Sequence, residues 1–163
     1  MRIFKNAKYV IICFFVLMSE MIFGKYLEIG GIDPMISFSL CLATALVEDE
    51  PKYVIAQAIV LGVLLDAFSG RGFGTYTITF LLTSVASFLI KDSLFSSKVL
   101  LLVCDVFVMT IFSTFVFWLF NVWNLGGGFF WMMGRIAVWQ ALYNIVITLV
   151  FYFILCKIFR KRR

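Results

Sequence analysis

Histidine is absent from this chain, and charge is scarce: 9 acidic and 14 basic side chains in 163 residues. The four cysteines, Cys13, Cys41, Cys104 and Cys156, each lie alone inside an apolar run, and no CxxC pair exists. The usual zinc-ligand sets are therefore missing and a disulfide framework is disfavoured. No Ser or Cys is paired with a recognisable general base, so hydrolase and metalloenzyme chemistry have nothing to stand on. No catalytic, cofactor-binding or metal-ligating residue is expected, and the chain is expected not to be an enzyme. Charged residues make up 14% of the chain, against about 25% in an ordinary soluble domain. That supply of polar surface is too small to cover a soluble globule of this size. Internal repeats and low-complexity segments are also missing. Gly126-Gly127-Gly128 is followed by no Lys, Ser or Thr and is not a phosphate loop.

What is present is apolar: 63% of the residues are hydrophobic, and the mean hydropathy is +1.05. The reading is an all-α integral membrane protein, one domain of six transmembrane helices in one bundle over residues 1–163. The spans fall at about 9–27, 34–47, 53–68, 73–90, 99–122 and 135–159. The first run has no small-residue cleavage site and reads as a retained span rather than a signal peptide. Pro34 is suited to the first turn of the second span. That span is short, so it either tilts little or sits behind other helices. Glu48-Asp49-Glu50-Pro51-Lys52 is an abrupt acidic turn, and Trp123 to Met133 reads as a Gly-rich aromatic loop.

An even number of spans puts both ends on one side. That side collects eleven positive residues: Arg2, Lys5 and Lys8, then Lys52, Lys91 and Lys98, and five from Lys157 to Arg163. The other side holds three, Lys25, Arg71 and Arg135. The asymmetry places both termini in the cytoplasm. It also explains the net charge of +5 without nucleic acid as a partner. Trp118, Trp123, Trp131 and Trp139 flank the last outer loop, as interfacial aromatics do. The basic tail is placed to touch anionic lipid.

Three acids fall inside spans, Glu20 and Asp66 in the outer half and Asp105 in the inner half. One reading is a proton or cation relay. The other is structural, with buried acids hydrogen-bonded to neighbouring helices or to a partner's helix, and it is favoured because two acids sit in one half and one in the other. Arg135, entering from the outer side, is a candidate pair for Asp66 or Glu20. Gln140, Asn144 and Thr148 form an i, i+4, i+8 stripe on the sixth helix. It lines a ligand cavity or, as favoured, bonds to other helices. Thr79, Thr83 and Ser87 make a packing stripe on the fourth. The strongest local signal is Leu61 to Gly74, where Gly62 and Asp66 share a helix face and Gly70, Gly72 and Gly74 form a corner around Arg71. Gly62 lets another backbone come close to that face.

The length, the six spans with short loops, the basic ends, Pro34, and above all Gly62-Val63-Leu64-Leu65-Asp66 followed by Ser69-Gly70 and Phe73-Gly74 resemble the rod shape-determining MreD family. The resemblance covers the whole chain. It implies a multi-pass protein of the bacterial cytoplasmic (inner) membrane that acts in the elongation machinery. There it binds MreC and works with MreB, RodA and RodA's transpeptidase partner in sidewall peptidoglycan synthesis. From the residues themselves, the structural or partner-facing candidates are Glu20, Gly62, Asp66, Gly70, Gly74, Asp105, Arg135, Gln140 and Asn144. The family is also similar in fold to the substrate-binding subunits of energy-coupling-factor transporters, which leaves a vitamin-type binding subunit as the alternative. The AxxxA pattern such subunits use to meet their transmembrane partner is missing from Tyr9 to Leu27.

The charge asymmetry predicts that a cytoplasm-active reporter works after Arg163 and a periplasm-active one works between Trp123 and Met133. A periplasm-active reporter working at the C-terminus would overturn this topology and the depth of every acid above.

Overall fold

A computed structural model describes residues 2–23, 26, 34–69, 74–91, 98–121 and 128–160. Six helices account for nearly all of them: α1 (Arg2–Phe23), α2 (Ile36–Val47), α3 (Pro51–Ser69), α4 (Thr75–Ile90), α5 (Lys98–Asn121) and α6 (Gly128–Arg160). Three contain stretches long and apolar enough to cross a membrane, Pro51–Ser69, Val99–Phe117 and Gly134–Ile158. The shorter apolar helices are Ile11–Ile22, Ile36–Val47 and Thr75–Ile90.

Six apolar runs become six helices, with shifted ends. Helix α1 begins at Arg2, because the basic head contains no breaker and Lys and Arg are good helix formers. Helix α6 begins at Gly128 rather than Arg135, so the aromatic loop gives up its second half. Phe129 to Met133 contains no Pro or polar capping residue to stop a helix. An isolated Gly134 inside a helix costs only about 1 kcal/mol. Pro34 lies two residues ahead of α2 rather than in its first turn, because Met35 occupies the cap position.

Helix α2 is the axis of the bundle. Ten of its 12 residues are buried, so it lies behind the other helices, one of the two alternatives its length left open. A helix apolar and covered all round belongs in a core. Helices α1, α3, α4, α5 and α6 all pack on it, and α1–α3, α3–α4, α4–α5 and α5–α6 touch in turn. Phe38, Leu40, Leu42 and Ala43 fill the centre with Leu61, Phe80, Leu102 and Val106. The Phe38 and Phe80 rings lie 5.7 Å apart. Tyr76 meets Phe117 edge-on at 4.8 Å, a geometry aromatic quadrupoles favour. Outward positions are also apolar, among them Phe14, Phe15, Phe68, Val108, Val146 and Phe153. A surface of that kind suits a hydrocarbon solvent.

Helices α2 and α4 run parallel, and their C-termini are tied together by Lys91. Its Nζ donates to the Glu48 carbonyl at 2.6 Å, lies 3.8 Å from the Asp49 carboxylate and sits 4.2 Å over the Phe88 ring. A cation between two helix C-termini meets the negative ends of both dipoles. Replacing Lys91 with Met is expected to cost about 1–3 kcal/mol, read as a lower unfolding temperature in detergent, with Lys91→Arg retaining most of it. An unchanged unfolding temperature in Lys91→Met would show that the tie contributes nothing.

Candidate functional site: two helix starts capped by acids

The first four N–H groups of a helix have no partner inside it. A Ser, Thr, Asp or Asn at the cap position normally satisfies one. Neither α2 nor α4 has such a residue. Their cap residues are Met35 and Gly74, and neither makes a side-chain cap bond. Both helix starts are buried, with Pro34, Ile36 and Ser37 covered at one and Thr75 at the other. The donors must be met from outside the helix.

At α4 they are met by Asp66, near the end of α3. Tyr76 N–H donates to Oδ1 at 2.8 Å, Thr77 N–H to Oδ2 at 3.0 Å, and the Thr77 hydroxyl to Oδ2 at 2.6 Å. Asp66 is 3% exposed, and both its oxygens are used. An anion at a helix N-terminus also gains from the helix dipole. Gly62 makes the approach possible. A Cβ there would stand 2.5 Å from Thr77 Cα and 2.9 Å from Thr77 N, so any side chain would push α4 away from the acid one turn along. Gly74 has φ of 100°, a left-handed conformation that glycine adopts without a Cβ penalty. Its role is conformational, because a Cβ there would meet nothing within 4 Å.

At α2 two helices share the task. Glu20 of α1 accepts the Ser37 N–H at 2.8 Å. Asn144 of α6 accepts the Met35 N–H at 3.3 Å. Asn144 is fully buried. Its amide nitrogen donates to the Thr110 hydroxyl of α5 at 3.3 Å, and its backbone carbonyl receives the Ser39 hydroxyl at 3.5 Å. One side chain thus connects α2, α5 and α6.

The other sequence candidates fall elsewhere. Arg135 is exposed on α6. The pairing considered between it and Asp66 or Glu20 is replaced by backbone N–H groups, which lie closer in the fold and need no cation. Asp105 is buried between α4 and α5, with Oδ1 receiving the Ser87 hydroxyl at 3.1 Å. It is not part of either cap. Gln140 is half-buried, while Thr148 one turn beyond Asn144 is fully buried. Thr79 and Thr83 bond back to carbonyls of their own helix, as packing residues do. Gly70 lies outside the described residues, as do Gly72 and Arg71. Sequence reasoning missed Ser37, Thr77, Thr110 and the tie made by Lys91. The signal for Thr77 was available: a helix starting after a glycine corner has no capping side chain of its own.

This fold is a helical bundle with an apolar exterior and two acids, Glu20 and Asp66, that serve helix starts inside it, which is a membrane-protein class. The chain matches the family of the rod shape-determining protein MreD over residues 2–162 and belongs to that family. It is thereby a bacterial membrane protein of the rod-shape machinery. No curated protein and no solved structure matches it.

Asp66→Leu leaves three donors without an acceptor, at about 1–3 kcal/mol each, and is expected to abolish accumulation of folded protein. Asp66→Asn keeps one acceptor oxygen and is expected to cost about 1–2 kcal/mol, read by protein level and unfolding temperature. Gly62→Leu is expected to be as severe as Asp66→Leu. Normal protein level in both Asp66 variants with equal loss of activity would instead mark a titrating role for this acid.

Proposed function

We propose that the chain is a non-enzymatic scaffold of the elongation complex, binding MreC directly and supporting sidewall peptidoglycan synthesis and rod shape. MreB, RodA and RodA's transpeptidase partner belong to the same assembly, membrane lipid surrounds it, and nucleic acid has no part in it. The proposed architecture is six spans in the cytoplasmic membrane with both termini in the cytoplasm, on the plan of the substrate-binding subunits of energy-coupling-factor transporters. In that orientation the acid-capped helix starts lie in the outer half, and Lys91 and Asp105 in the inner half.

The observation that carries this reading is the family match along essentially the whole chain. The interior supports it. Glu20, Asp66 and Asn144 are engaged with backbone of neighbouring helices. A scaffold needs a fixed shape to present to partner helices. Polar bonds between helices provide it in a bilayer, where apolar burial alone cannot distinguish a helix from lipid.

Depletion of the protein is expected to turn rod cells round, and re-expression to restore rods. The tagged protein should co-purify MreC, and Gly62→Leu or Asp66→Leu should reduce that recovery at least tenfold. Recovery of a transporter ATPase pair instead of MreC, together with tight binding of a small vitamin-like molecule, would replace this reading with the transport one.

A further inference from the structure

Asp105 differs from the two acids at the helix starts. Glu20 and Asp66 accept backbone N–H groups at helix starts, where the dipole favours a negative charge. Asp105 lies about 10 Å along α5 from Lys98, in mid-helix, where no free backbone donor exists. It is 6% exposed. Its Oδ1 has one neutral donor, the fully buried Ser87 hydroxyl. Its Oδ2 is buried with no hydrogen-bond partner. Among the described residues no ammonium or guanidinium lies within ion-pair distance of it.

The groups packed around it do not supply a counter-charge. On α4, Lys91 is one turn beyond Ser87 and is committed to the Glu48 carbonyl and Asp49. On α2, Glu48 and Asp49 at the C-terminal end and Cys41 within are acids or neutral. On α6 the titratable groups are Tyr143, Tyr152 and Cys156, with the exposed Arg135 near its start and Lys157 and Arg160 near its end. On α5 itself Lys98 stands two turns away at the helix start. An ionised carboxylate with one neutral donor in such a place is very costly, and a neutral acid is not.

We propose that the Asp105–Ser87 pair between α4 and α5 is a proton-binding site. A hydronium ion from solvent at the Lys91 end gives its proton to Oδ2: its O–H bond breaks as the Oδ2–H bond forms, and neutral water is left. The carboxyl stays neutral while the α4–α5 seam is closed. Loss of the proton leaves a charge that the seam cannot hold dry, so ionisation opens the inner ends of α4 and α5 to water. This proposal is independent of MreC binding.

The test uses infrared spectroscopy of the full chain in lipid bilayers. At neutral pH the wild type is expected to show a carboxylic-acid C=O band. Asp105→Asn should remove it, while Glu20→Gln and Asp66→Asn leave it in place. Asp105→Asn is the isostere of the neutral acid, so its unfolding temperature should match wild type at neutral pH. Raising the pH until the band disappears should increase hydrogen exchange in the inner halves of α4 and α5 in wild type, and not in Asp105→Asn. If Asp105→Asn does not accumulate, Ser87→Ala serves in its place, since loss of its hydrogen bond should shift the same band to higher frequency. A band that survives Asp105→Asn, a band that is unmoved by Ser87→Ala, or exchange that rises equally in both proteins would overturn the proposal.

Discussion

The bundle depends on how two helices begin. Helix α2 has 12 residues and α4 has 16, about 18 and 24 Å of axis. A hydrocarbon layer is about 30 Å thick. The starts of both helices are buried within the bundle, where their first N–H groups are shielded from water. Each unsatisfied group there would cost several kcal/mol. Carboxylates carried in on the preceding helices, Glu20 for α2 and Asp66 for α4, remove that cost. The same contacts remove the cost of burying the acids. Each half of the arrangement is unfavourable alone, so the helix pairs form together or not at all.

Close approach is the second half of this constraint. Asp66 reaches Tyr76 and Thr77 only because α3 and α4 touch at Gly62, with Thr77 backbone where a side chain would be. Glycine and acid one turn apart therefore form one unit: the first sets the distance and the second uses it. Asn144 does comparable work for α2 from the opposite flank and also draws in Thr110 of α5. At the other end of α2 and α4, Lys91 supplies the charge that two C-termini favour. Acids at the N-termini and a cation at the C-termini hold the central pair along its length.

This interior separates the acids by role. The two at helix starts accept backbone N–H groups of the helices they cap, whereas Asp105 keeps an oxygen with no hydrogen-bond partner. A rigid, internally bonded core with an apolar exterior is what a membrane scaffold requires. The buried acid outside that bonding is the place where the bundle can respond to its surroundings.

The all-helical class, the number and order of helices and the family were legible in the sequence, because hydrophobic runs, charge placement and the Gly62–Asp66 corner are local properties of the chain. Helix ends were less legible. At Arg2 and Gly128 the helices extend past the apolar pattern because nothing in the flanking residues stops them. Gly62 and Asp66 stood out as a close-packing glycine and a buried acid, but their partners did not. The acceptor for Ser37 is 17 residues away, for Tyr76 10 residues away, and for Met35 109 residues away. Nothing in a run of residues states which acid faces which helix start. That choice is made by the order of α1, α3, α4, α5 and α6 around α2, since only packing brings a carboxylate to a backbone donor that would otherwise stay unsatisfied.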